Sequence, residues 1–288
     1  MPPSPVNLPV VEHVAVLMVV DNTTGRSDLL GEHGLALWIE ADGARVLLDT
    51  GQGEALAHNV PVLDLPLADA DAIVLSHGHY DHAGGLPQAM AAAPGARVVA
   101  HPAALRDRFS RRDTPPHRAI GVPEAAHALL RDGEGRVAWT ESPAEVVPGV
   151  WVTGEIPRRT DFEDTGGDFY TDPDCRTPDP IPDDQAVFLR TERGLVVLCG
   201  CAHAGLVNTL DYVTDLTGDD AVYAVIGGLH LGRASRERLE RTADAVERYG
   251  VQVLGPAHCT GSEAVRFFAC RFPNACVGCG AGTWFALT

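Results

Sequence analysis

The chain has no lysine: all 22 of its basic residues are arginine. That removes Schiff-base chemistry, a phosphate-loop lysine and a lysine general base together. Cations are also scarce, since 39 acidic residues leave a formal net charge of −17 over 288 residues. A chain so acidic, without a basic stripe, does not suit the phosphates of nucleic acid. Long apolar runs are missing too, and the longest, such as 14–20, are far too short to span a bilayer. Residues 1–9 lack the basic region and cleavage site of a signal peptide. The seven cysteines are odd in number and scattered, which fits reduced thiols in a cytoplasmic protein better than a disulfide framework. No membrane or nucleic-acid partner is expected, and the oligomeric state is left open.

What is present is a sizeable apolar fraction, 45%, arranged in short runs between turn signals. Segments 14–20, 36–40 and 45–49 read as strands, the last two joined by a hairpin turn at Asp42-Gly43. The continuous apolar run 72–75 suits a strand buried on both faces. Helical spacing follows at 86–93, then a strand at 97–100 and a helix over 123–130. Residues 106–182 are rich in Pro, Asp and Arg, with only 150–153 strand-like. They read as a loop-rich surface excursion that carries specificity. Order resumes with strands 186–190 and 195–199, a helix that starts near Leu206 and stops at Gly218, strand 221–226, a helix over 236–249 and strand 251–254. Strands followed by helices, twice over, predict an α/β sandwich in one domain. No Gly-x-Gly-x-x-Gly follows any strand, which speaks against a dinucleotide fold.

The informative stretch is Ser76-His77-Gly78-His79-Tyr80-Asp81-His82. Three imidazoles and a carboxylate crowd the point where a buried strand ends and a glycine-rich turn opens a helix. Such a run has no packing role. Neutral imidazole and carboxylate are ligands for zinc, iron or manganese, and one loop offering two pairs suits two adjacent ions.

This His-x-His-x-Asp-His pattern resembles the signature of the metallo-β-lactamase superfamily. Segments 32–34, 49–51, 153–158, 199–205, 227–231 and 258–261 resemble one branch of it, named after dihydropterin-ribofuranosylaminobenzene phosphate synthase. The resemblance runs from about Val14 to the C-terminus and is weakest over 106–145. It implies a four-layer αβ/βα sandwich with metals at one edge. It also implies that His77 and His79 bind one ion, and Asp81 and His82 the other. The usual third histidine and bridging Gly-Asp are missing, so His203 and His258 are the remaining candidates for the two ions. Cys201 stands where the bridging Asp would be, either as a ligand or pointing into the core. Strand alternation would turn Cys199 and Cys201 the same way.

Other assignments stay open. Asp49 either orients a metal histidine or makes its turn. His230 and His33 are candidates for substrate contact, and Asp81 and His230 for catalysis. Arg158 and Arg159 either clamp an anionic substrate or sit in a solvated loop. Cys270, Cys276 and Cys279 read as buried thiols, since a closed zinc site needs four ligands. Two divalent ions, zinc before iron or manganese, would serve a hydrolase or group-transfer enzyme acting on a small, anionic ester or phosphate. An iron oxidoreductase and a non-catalytic metal sensor are the alternatives.

Overall fold

The computed structural model describes residues 6–133 and 135–288; residues 1–5, within the stretch read for a signal peptide, and Glu134 lie outside the described residues. The chain begins with β1 (Val14–Val20), β2 (Ala36–Ala41) and β3 (Ala44–Leu48), then α1 (Glu54–Val62), β4 (Ala72–Val74), α2 (Tyr80–Ala83), α3 (Leu86–Ala92) and β5 (Arg97–Ala100). The middle holds β6 (Phe109–Ser110), β7 (Arg118–Ala119), α4 (Glu124–Asp132), β8 (Val137–Trp139), β9 (Ala144–Val147), β10 (Val150–Val152) and β11 (Phe169–Tyr170). It ends with β12 (Ala186–Thr191), β13 (Gly194–Cys199), α5 (Leu206–Thr217), β14 (Val222–Gly228), α6 (Arg236–Arg248), β15 (Val253–Ala257), α7 (Ser262–Arg271) and β16 (Trp284–Ala286).

Among the described residues two large sheets form, ordered β16-β1-β2-β3-β4-β5-β8 and β15-β14-β13-β12-β10-β9. Each begins with an antiparallel hairpin and continues with parallel strands reached through helices. The first hairpin turns at Asp42-Gly43, both at positive φ, as the sequence predicts. β-branched and leucine side chains of the two inner faces interdigitate, with Val16, Ile39 and Leu48 packed in one core with Val187, Val196 and Ile226. The outer face of the first sheet buries Trp38, Leu47 and Ile73 under Leu56 of α1, Leu86 of α3 and Leu130 of α4. That of the second buries Phe188, Val197 and Val225 under Leu210 of α5, Val246 of α6 and Phe268 of α7. Helix, sheet, sheet, helix is the expected four-layer order.

Two readings need correction. α1, α7 and β16 were not anticipated: α1 carries Pro61 inside it, and α7 and β16 lie in the segment read only for its thiols. The excursion is narrower than 106–182. β8 is the edge of the first sheet, and β9 with β10 forms the edge of the second, because the short apolar runs at 137–139 and 144–147 find strand partners. Within the excursion, β11-β6-β7 forms a separate small sheet. Among the described residues no helix is long and apolar enough to cross a membrane.

Candidate metal centre

β1, β3, β4, β13, β14 and β15 all end at the same edge, and the chemistry-bearing residues follow those ends. In open parallel sheets the carboxyl ends of strands are where ligands gather. After β4 the chain bends through Ser76–Gly78, and His79 caps α2 in an extended conformation. Gly78 is required by close approach: a Cβ there would lie 2.3 Å from the carbonyl oxygen of Ala104. Its N–H donates to Asp183 Oδ2 at 2.7 Å. Asp183 is itself held by buried Arg108, which also donates to Asp179.

Ring orientation is set by a second layer of oxygens. Asp49 accepts from the Ser76 N–H, the Ser76 hydroxyl and His82 Nδ1, each at 2.7 Å. Since the Ser76 hydroxyl donates to Asp49, it accepts from His77 Nδ1 at 2.9 Å. His203 Nδ1 donates to the Thr165 carbonyl at 2.7 Å, and His258 Nδ1 to Asn22 Oδ1 at 2.8 Å. With Nδ1 committed as donor in all four rings, their neutral forms present lone pairs on Nε2. Those lone pairs converge: His82 Nε2 lies 3.1 Å from His258 Nε2 and 3.1 Å from Cys201 Sγ. Nε2 of both His79 and His203 is buried without a hydrogen-bond partner. Neutral imidazoles cannot hydrogen-bond lone pair to lone pair, so these rings are placed to share a proton or to coordinate a cation.

Among the described residues, donor atoms lie within 4.8 Å of one another in four groups: His77/His79/His203, His33/Asp81/His258, His77/His82/Cys201 and Cys201/His230/Cys259. Nitrogen, carboxylate and sulfur donors on this scale fit divalent transition metals. Burial, reinforced by neighbouring imidazoles, holds His77 and His203 well below the usual histidine range, and burial with the Arg108 charge takes His79 down to about 3, so these rings are neutral and able to coordinate. Burial opposes ionisation of Asp81, but the adjacent His258 and His33 rings outweigh it, and its carboxyl stays well below the ordinary range. Burial also works against a charged His82, yet Asp49 raises it overall. Burial and the hydrogen bond with Cys259 push Cys201 up; Cys259 is lowered, against its own burial, by Cys201 and His230.

The structure thus gathers His77, His79, Asp81, His82, His203, His258, Cys201 and Asp49 in one place, with His33 and His230 beside them. His33 Nε2 is 3.1 Å from Asp81 Oδ2. Other expectations fail. β13 stops at Cys199 and the chain turns at Gly200, so alternation does not continue: Cys199 packs among Phe188, Val197 and Leu210 while Cys201 faces His82. Arg158 and Arg159 line no part of the adjoining cavity. Arg158 donates to the Pro180 carbonyl at 2.7 Å, and Arg159 pairs with Asp215 at 2.5 Å. The cavity, about 140 Å³, is walled by Tyr80, Ser110, Arg118, Ile120 and Phe169 beside the cluster. Arg118 lies over the Tyr80 ring, 4.6 Å from its centre. Cys259, Arg118, Asp183 and Asn22 were missed. Only Cys259, adjacent to His258, left any signal in the sequence.

This layered fold with an imidazole-rich cluster at its strand ends defines an αβ/βα sandwich with a candidate metal centre. The model of the metallo-beta-lactamase superfamily matches residues 30–258, and the chain belongs to that superfamily. It is 30% identical over 280 residues (92% of this chain, 94% of the relative) to 7,8-dihydropterin-6-methyl-4-(beta-D-ribofuranosyl)-aminobenzene-5'-phosphate synthase of Methanocaldococcus jannaschii. An uncharacterised protein of that organism is 29% identical over 87% of this chain and 92% of its own length. A solved metal-dependent hydrolase of the beta-lactamase superfamily superposes with a TM-score of 0.80 at 28% identity, covering 95% of this chain and 98% of the other. A metallo hydrolase from Ignicoccus hospitalis, 14% identical, shares the fold with a TM-score of 0.54, over 96% and 99% of the two chains.

Proposed function

We propose that the protein is a metal-dependent hydrolase, holding two divalent ions, zinc first, and acting on a small anionic ester or phosphate. The carrying observation is the set of Nε2 lone pairs of His77, His82, His203 and His258, fixed by oxygen partners on Nδ1 and converging at one edge. His77, His79 and His203 would hold one ion, and Asp81, His82 and His258 the other, with His33 as a neighbour. Ions bound there would supply a water ionised near neutral pH and stabilise a developing oxyanion. The chain's own part is to fix the rings and exclude bulk water, with Phe169 and Ile120 walling the cavity. Asp81 is an ionised proton acceptor at the cavity floor, and His230 faces the same space. Arg118 offers the cation for an anionic substrate there. The synthase name of the 30% identical relative favours group transfer as a second reading.

Elemental analysis of protein purified without added metal should find more than one equivalent of divalent metal, and His77→Ala and His203→Ala should lose most of it. A screen of phosphoesters, lactones and thioesters should find turnover that both substitutions abolish. Metal near zero in the wild type, or full metal in both variants, would overturn the reading.

A further inference from the structure

Cys259 belongs to neither histidine-rich group, yet its thiol is placed with care. Cys201 follows β13, His230 follows β14 and Cys259 follows β15, three adjacent parallel strands whose registers, Cys199 with Gly227 and Gly228 with Ala257, bring their ends level. Their donor atoms lie within 4.8 Å of one another. Between them β14 ends on Gly228, where a Cβ would sit 2.7 Å from Cys259 Sγ and 3.3 Å from Cys201 Cα. A side chain there would displace the sulfur. The His230 N–H donates to Cys259 Sγ at 3.3 Å, which orients the thiol, while His230 Nδ1 is buried with no partner. His230 holds this place at φ 45 and neighbouring Ala202 at φ 51, unfavourable backbone conformations that surrounding structure must enforce. All three side chains open on the cavity.

Two thiols and an imidazole make a soft donor set. In a tetrahedral zinc site with Zn–S of about 2.3 Å, ligand atoms stand about 3.8 Å apart, a spacing that small side-chain rotations can reach here. We propose that Cys201, Cys259 and His230 form a thiolate-rich cation position beside the histidine groups, distinct from the two ions of the His-x-His-x-Asp-His loop, which takes a soft divalent cation such as Zn²⁺ or Cd²⁺. Each thiol gives up its proton to solvent on binding, no electron is transferred, and the fourth place faces the cavity. Cys201, also near His77 and His82, is the donor that joins this position to the others. The position does not depend on the hydrolase reading.

The test uses reduced, metal-free full-length protein titrated with Cd²⁺ alone under argon. The wild type should bind one equivalent more than Cys259→Ser, and the sulfur-to-metal charge-transfer absorption should fall by about half in Cys259→Ser. The absorption should persist in His77→Ala, which separates this position from the histidine groups. Alkylation of wild-type Cys259, followed by mass spectrometry, should slow at least tenfold with Cd²⁺ while exposed Cys270 is unaffected. That measurement needs no variant to fold. Equal stoichiometry and spectra for wild type and Cys259→Ser, or equal alkylation of Cys259 with and without Cd²⁺, would overturn the proposal.

Discussion

Asp49 joins Ser76 to His82 with three hydrogen bonds and holds φ 61 while doing so. Outer partners of this kind tune ligands rather than bind metal. Asp49→Ala should weaken metal affinity by about 10–100-fold, read by competition with a chromogenic chelator. Asp184 makes a different prediction. It accepts from the Ala204 N–H at 2.7 Å, behind His203, and burial pushes its carboxyl up to about 6. The folded value lies above the unfolded one, so its favourable contribution is complete below about pH 4 and is lost as pH rises through 6. In metal-free protein Asp184→Asn should therefore be the more stable form at pH 8, by about 3 kcal/mol at most. The gap should close toward pH 4, and urea unfolding at the two pH values would check it. The His-x-His-x-Asp-His run was legible because it is local. The outer oxygens were not, since Asp49, Asn22 and Thr165 reach their histidines only through the fold.

At the scale of elements, α1 and α5 both start after a glycine that offers no side-chain cap. Distant glutamates serve instead. Glu32 accepts from the N–H groups of Gln52 and Ala55, and Glu163 from those of Val207 and Asn208, both at 2.9 Å. A carboxylate at a helix N-terminus satisfies free N–H groups and opposes the helix dipole. Glu163→Ala should cost about 1–2 kcal/mol in denaturant unfolding. Such caps explain why α1 was overlooked: its start signal lies in another part of the chain. The small sheet β11-β6-β7 is likewise tied down by Arg108, whose guanidinium is buried between Asp179 and Asp183. Removing one partner of a buried ion pair strands the other charges, so Arg108→Ala should lose about 3–5 kcal/mol. Through Asp183 and Gly78 it should also lower metal occupancy, measured on the folded fraction.

Over the whole molecule, the two sheets bring six strand ends to one edge, and the excursion lays β6, β7 and β11 across it. Under the proposed function the anion contact is Arg118, which lines the cavity, rather than Arg158 or Arg159. On any anionic substrate, Arg118→Ala should lower kcat/KM tenfold or more, whereas Arg158→Ala should change it less than twofold; equal effects would restore the sequence-based expectation. The sequence by itself determined the alternation of hairpins and βα units, the apolar inner faces and the ligand-dense loop. Each of these follows from periodicity or from residues within a few positions of one another. The tertiary structure alone decided which strand ends meet, which arginines are already paired and which lone pairs converge. Those contacts join residues far apart in the chain, such as Cys201, His230 and Cys259, whose proximity depends on the register of three strands.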